Sequence, residues 1–191
     1  MSTELMKSIC LVDLRRGIQR RGLGRVQHLS PNAAIESIER PVGMVRVKLF
    51  DHGFLIATIE EHNLFVNSGL PALAALMGGD VSGEFAAAVG FGSGSNTPSL
   101  SDTGLTAPAY YKTLDSHSED GAGSVTLNWS LGVADSGAVG VNIQELGLFA
   151  NKTSVTLPGT TQPTPMLARK TISPILFTSS MSLSGVWTLT F

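Results

Sequence analysis

The chain has 191 residues, 42% of them hydrophobic, and a formal net charge of −2, enough for one ordinary domain with or without an attached arm. Charged residues make up 15% against a typical value of about 25%, which excludes a highly charged disordered chain. Glycine, serine and threonine stand in their place, a mixture that suits a turn-rich all-β protein or a subunit that hides surface in an assembly. The single cysteine, Cys10, excludes an internal disulfide framework and a cysteine-based zinc cage. The longest strongly apolar run, Leu70 to Met77, is too short to cross a membrane as a helix, and the N-terminal residues show no secretory pattern.

Residues 2–20 read as a helix. Ser2 or Thr3 can cap it, Leu5, Ile9 and Val12 recur at helical spacing, and Arg15, Arg16, Arg20 and Arg21 gather in and just after its last turns, where cations suit the helix dipole. Residues 22–41 look extended and end in Arg40-Pro41. Residues 1–48 hold nine Lys or Arg against four acids, whereas the rest of the chain holds four against eleven. A basic arm, 1–41, is therefore expected to precede a more acidic body, 42–191. An acidic protein neighbour is the expected partner of that arm, with Leu5, Ile9, Val12, Arg15, Arg16, Arg20, Arg21 and Arg25 as interface candidates. Nucleic acid is not favoured, because no aromatic residue precedes Phe50 to stack on bases. An isolated helix of this length is marginal in water, and ordering each extended residue costs about 1–2 kcal/mol, so the arm is expected to order against a partner or a neighbouring copy.

From Val42 the period changes to two. Val45, Val47 and Leu49 alternate with Arg46, Lys48 and Phe50, predicting a half-buried strand. Asp51-His52-Gly53 is a tight-turn signal, and Phe54 to Glu60 completes a hairpin. A short helix is expected over Leu70–Met77, with Pro71 in its first turn and Gly78-Gly79 after it. Phe85 to Phe91 reads as a strand of small residues against which another layer, such as the 70–77 helix, can lie close. The Gly- and Ser-rich stretch 92–107 is a loop. Further strands are expected near 108–115, 122–133, 139–150, 166–177 and 181–191, with 151–165 as an exposed polar excursion. The fold class expected is mainly β, a β-sandwich-like domain with one short packed helix, preceded by the helical and extended arm.

Sites of chemistry are scarce. The run from Gly90 to Ser95 lacks both the dinucleotide glycine spacing and the Gly-Lys-Ser/Thr ending of a phosphate loop, so it reads as a turn. His28, His52, His62 and His117 show no metal-ligand spacing. Asp115 to Asp120 holds Asp, His and Glu, but in a glycine-flanked turn that offers a catalytic base neither rigidity nor desolvation. Glu60 and Glu61 point to opposite faces of a strand and cannot form a dyad. Cys10 reads as an inert buried or interface thiol. No catalytic residue, cofactor or metal site is predicted.

Four segments carry a family resemblance. His62 to Leu70 (HNLFVNSGL) leads into the apolar helix; Val89 to Leu105 runs VGFGSGSNTPSLSDTGL; Ile143 to Phe149 reads IQELGLF; and Leu167 to Pro174 (LARKTISP) is followed by the terminal strand ending in Trp187 to Phe191. In order and spacing they resemble segments of small virion structural proteins of tailed bacteriophages, of the tail-fibre and baseplate-associated type. The resemblance covers about residues 45–191 and not the first 41. It implies a non-enzymatic building block of the virion, assembled in the bacterial host cytoplasm. The expected subunit self-associates about a symmetry axis, as a trimer by family analogy, and serves as an adaptor that docks on tail, baseplate or tail-fibre proteins. A capsid decoration protein is the alternative. A carbohydrate-binding module using Tyr110, Tyr111 or Trp129 as a stacking surface is a second one.

Overall fold

The computed structural model describes residues 40–80 and 82–191. The helical and extended reading of residues 2–39 and all eight interface candidates from Leu5 to Arg25 lie outside the described residues.

The described residues form nine antiparallel strands and one α-helix. In chain order these are β1 (Val42–Asp51), β2 (Phe54–Phe65), a 3-10 turn (Asn67–Gly69), α1 (Leu70–Met77), β3 (Ala86–Gly92), β4 (Pro108–Thr113), β5 (Ser116–Glu119), β6 (Ser124–Leu131), a second 3-10 turn (Ser136–Ala138), β7 (Asn142–Ala150), β8 (Met166–Leu176) and β9 (Met181–Thr190). The fold is mainly β, as the alternation of apolar residues predicts. The strands follow one another as β4-β3-β7-β8-β2-β1-β9-β6-β5 in a single curled sheet.

The curl is made by β2. Most of this long strand pairs with β1, but its last residues, Leu64 and Phe65, pair with Arg169 and Ala168 of β8. One layer is thus β2-β1-β9-β6-β5 and the other β8-β7-β3-β4. They meet face to face, with Phe91 of β3 against Trp129 of β6 edge-on at 5.3 Å between ring centres, a favoured aromatic geometry. Val45, Val47, Leu127, Leu131, Leu183 and Trp187 of the first layer share one core with Val89, Phe91, Ile143, Leu146 and Leu148 of the second. Trp129 lies across β9 at Gly185, where a Cβ would stand 1.9 Å from its ring. Only glycine leaves room for the indole there.

The β1–β2 turn is as the sequence predicts: His52 (φ 48°) and Gly53 (φ 83°) are both left-handed, which a two-residue hairpin turn requires. Just past it Leu49 pairs with Ala57 and Phe50 with Leu55, so Ile56 is the extra residue of a bulge.

Two expectations are corrected. Ser116 to Glu119 is not a turn but the edge strand β5, paired residue for residue with Asn128 to Val125 of β6. At Gly90 of β3 the small residue admits aromatic rings rather than the helix: a Cβ there would meet Tyr111 at 2.6 Å and Phe149 at 2.8 Å. The 151–165 excursion is largely exposed, as expected, and it is also tied to the sheet. Gly159 and Tyr111 of the edge strand β4 exchange both backbone hydrogen bonds, at 2.8 and 3.0 Å, which removes an open edge.

Candidate functional site

The most concentrated polar chemistry is buried on the outer face of the β7–β8 layer. Glu145 of β7 is 0% exposed and Arg169 of β8 is 1% exposed. The Arg169 Nη2 and Nε donate to Glu145 Oε2 at 2.7 and 3.1 Å. The same carboxylate accepts backbone N–H bonds from Gly94 (3.1 Å), Thr106 (3.0 Å) and Ala107 (2.7 Å). Arg169 also donates to Asp102 Oδ2 at 2.7 Å and to Thr106 Oγ1 at 2.6 Å. Burial alone would pull the guanidinium down, but its bonds to Asp102 and Glu145 hold it above the usual arginine range.

The Gly-rich loop therefore does cradle an anion, and the anion is the chain's own Glu145. At Gly92 and Gly94 a Cβ would stand 2.6 and 2.5 Å from the Glu145 carboxylate oxygen, so glycine lets the backbone lie close, and the Gly94 N–H donates to it. With five donors on its two oxygens, Glu145 keeps little capacity for a substrate or metal. The chemistry of this cluster is to pin loop 92–107 across the sheet. All four segments behind the family resemblance meet here. Ser68 of the first donates to the carbonyls of Asp102 and Met166 at 3.2 and 2.8 Å, Gly94 and Asp102 belong to the second, Glu145 to the third and Arg169 to the fourth. The sequence signal for this cluster was a lone acid in the apolar run Ile143 to Phe149 and a lone arginine in Leu167 to Arg169, two charges that demand a partner if buried.

A second buried acid, Asp135, joins the β6–β7 connection to β4. It accepts from Tyr110 Oη (2.9 Å), Lys112 Nζ (2.9 Å) and the Gly132 N–H (2.8 Å). Burial alone would raise its carboxyl, but these donors hold it below the usual range. Burial, helped by the bond to Asp135, pushes the Tyr110 hydroxyl up to about 12. Glu84, also buried, is paired with Lys152.

Residues considered for catalysis are dispersed. Asp51 and His52 sit 3.0 Å apart on the exposed hairpin tip; Glu60 pairs with Arg46 and Glu61 with Lys170; His117 and Glu119 lie on exposed β5. Among the described residues no three His, Cys, Asp or Glu side chains gather as a metal would need. The stacking surface proposed for a carbohydrate is overturned. Tyr110, Tyr111 and Trp129 are 6%, 0% and 1% exposed, because Trp129 and Tyr110 face the shared core while Tyr111 is roofed on the opposite face with Phe149, Leu105 and Met166.

What the surface offers is apolar, and it lies at the two ends of the sandwich. At the end where β1 finishes, Phe54, Leu55 and Ile56 of the hairpin are exposed with Val133, Val139 and Leu176. At the opposite end, where β1 begins and β9 finishes, Met77, Phe85 and Phe191 are exposed. Here α1, the start of β3, the β5–β6 turn and the end of β9 enclose a groove of about 600 Å³, with Leu73, Leu76 and Leu189 in its walls. The helix carries no polar side chain, and only Ala72 of it is fully buried. Glu119 stands on the rim beside Asp120, which the backbone N–H groups of Ser124 and Ala122 hold below the usual carboxylate range.

No protein-family model matches the chain, and no curated protein or solved structure matches it either.

Proposed function

We propose that this chain is a non-enzymatic structural subunit of a tailed-phage virion, an adaptor of tail, baseplate or tail fibre that self-associates and holds its neighbours through its N-terminal arm. One observation carries the reading: large apolar side chains are bare at both ends of the sandwich, while the buried polar side chains at Glu145, Arg169 and Asp135 are taken up by the chain itself. Exposed apolar clusters of this kind mark protein–protein contact, whereas a catalytic group needs free valence toward a substrate. The family resemblance of residues 45–191 supplies the virion context. A homo-oligomer, by analogy a trimer, covers some of this surface; tail, baseplate or capsid proteins cover the rest.

Immunogold electron microscopy of virions with an antibody against residues 42–191 tests the location. Label at the tail end or baseplate is the expected result. Label over the head replaces the adaptor with capsid decoration, and absence from particles despite expression overturns both.

A further inference from the structure

We infer that the groove between α1 and the end of β9 seats residues 2–21 of a second copy of this chain, an inference that rests on the assembly reading above. The groove and the segment match in three respects. The first is apolar chemistry. Leu73, Leu76, Phe85, Leu189 and Phe191 line the groove, and Phe85 and Phe191 remain 53% and 62% exposed. In the segment, Leu5, Ile9 and Val12 stand at i, i+4 and i+7, the spacing by which an amphipathic helix lays one face into an apolar groove. A helix as apolar all round as α1 is ordinarily covered on more than one side.

The second match is charge. Glu119 lines the groove, together with Glu84, which is buried and already paired with Lys152. Asp120 follows Glu119 in the chain, and Asp80 stands near Lys152. Among the described residues of the cavity walls, Lys and Arg are missing and His117 is the one basic side chain. The segment follows its apolar face with Arg15, Arg16, Arg20 and Arg21. Opposite charges at the rim of an apolar contact fix its register and suppress wrong partners.

The third match is reach. Val42 pairs with Thr190, next to Phe191 in the groove wall, so the chain enters the sandwich at the groove end. Residues 22–41, extended by their sequence, span up to about 65 Å at roughly 3.3 Å per residue. A body of this size has a radius of gyration of about 15 Å. A tether of this length reaches the groove of a neighbouring copy. Exchange of the segment between copies covers the bare helix and supplies the partner that the sequence of the arm calls for.

Cys10, the only cysteine, falls within the segment and serves as a reporter. Isotope-labelled full-length chain is mixed with unlabelled full-length C10S/L73C chain, treated with a short bismaleimide, and digested for mass spectrometry. Any link between Cys10 and position 73 is then necessarily between copies. C10S/V133C, with the cysteine at the opposite apolar end, is the control, and C10S/S124C on the groove rim replaces L73C if that variant misfolds by circular dichroism. The expected result is at least tenfold more link to position 73 or 124 than to position 133. No link, or an equal link to position 133, in a chain that sedimentation shows to be oligomeric overturns the groove docking and leaves the assembly reading standing. No link in a chain that sediments as a monomer overturns both.

Discussion

The two layers of the sandwich treat their outer faces in opposite ways. Along β1 and β9 buried and open positions alternate, with Val45, Val47 and Leu49 inward and Arg46 and Lys48 outward. Along β7 six consecutive residues from Glu145 to Ala150 are buried. The first layer keeps its outer face in water; the second is roofed by loops 92–107 and 151–165, with Leu105 of the first loop packed over Tyr111, Phe149 and Met166. A wet face needs only polar side chains. A roofed face has to satisfy every polar group that the roof brings with it; in place of water, Glu145 accepts from the loop's backbone N–H groups and Arg169 donates to its Asp102 and Thr106 side chains.

The contrast breaks most sharply at Arg169. Arg169→Met leaves Glu145 charged and unpaired in the interior, and urea unfolding is expected to show a loss of about 3–5 kcal/mol. The double variant R169M/E145L is not expected to return to the parent value, because the N–H groups of Gly94, Thr106 and Ala107 then lose their acceptor. On the first layer, Trp187→Ala removes a fully buried indole and is expected to cost about 3–5 kcal/mol, from lost burial together with the cavity left behind. Gly90→Ala forces Tyr111 and Phe149 apart under the roof, at about 1–3 kcal/mol in the same assay.

Alkaline pH gives a smaller effect. The Tyr110 hydroxyl titrates at about 12 in the fold and at about 10 in the unfolded chain. Its neutral form is the one the fold favours, so its contribution is complete below pH 10 and is lost as pH rises toward 12. Denaturant midpoints measured across that window should fall, and less so in Tyr110→Phe. At the bottom of the scale, Ser184→Ala on the wet face of β9 is expected to change stability by no more than about 0.5 kcal/mol.

The same contrast explains what was legible. Alternation at Val45, Val47 and Leu49 announces a strand with one wet face, and His52-Gly53 announces its turn; both appear in the fold where the sequence puts them. The apolar run Leu70 to Met77, stopped by Gly78-Gly79, likewise reads as the helix it is. β5 was not legible, because Ser116 to Glu119 contains no apolar residue and its pairing is decided by β6. The roof was not legible either: nothing local in 92–107 reveals that its glycines are spaced for a carboxylate 51 residues away from Gly94. Burial of both tyrosines follows from that roof, since a strand covered on two sides has no outward ring.

Sedimentation velocity of the full-length chain over a range of micromolar concentrations tests the central claim most directly. The account predicts species larger than a 20.0 kDa monomer, held by the apolar ends and growing with concentration. A chain that remains a single monomeric species throughout would contradict it.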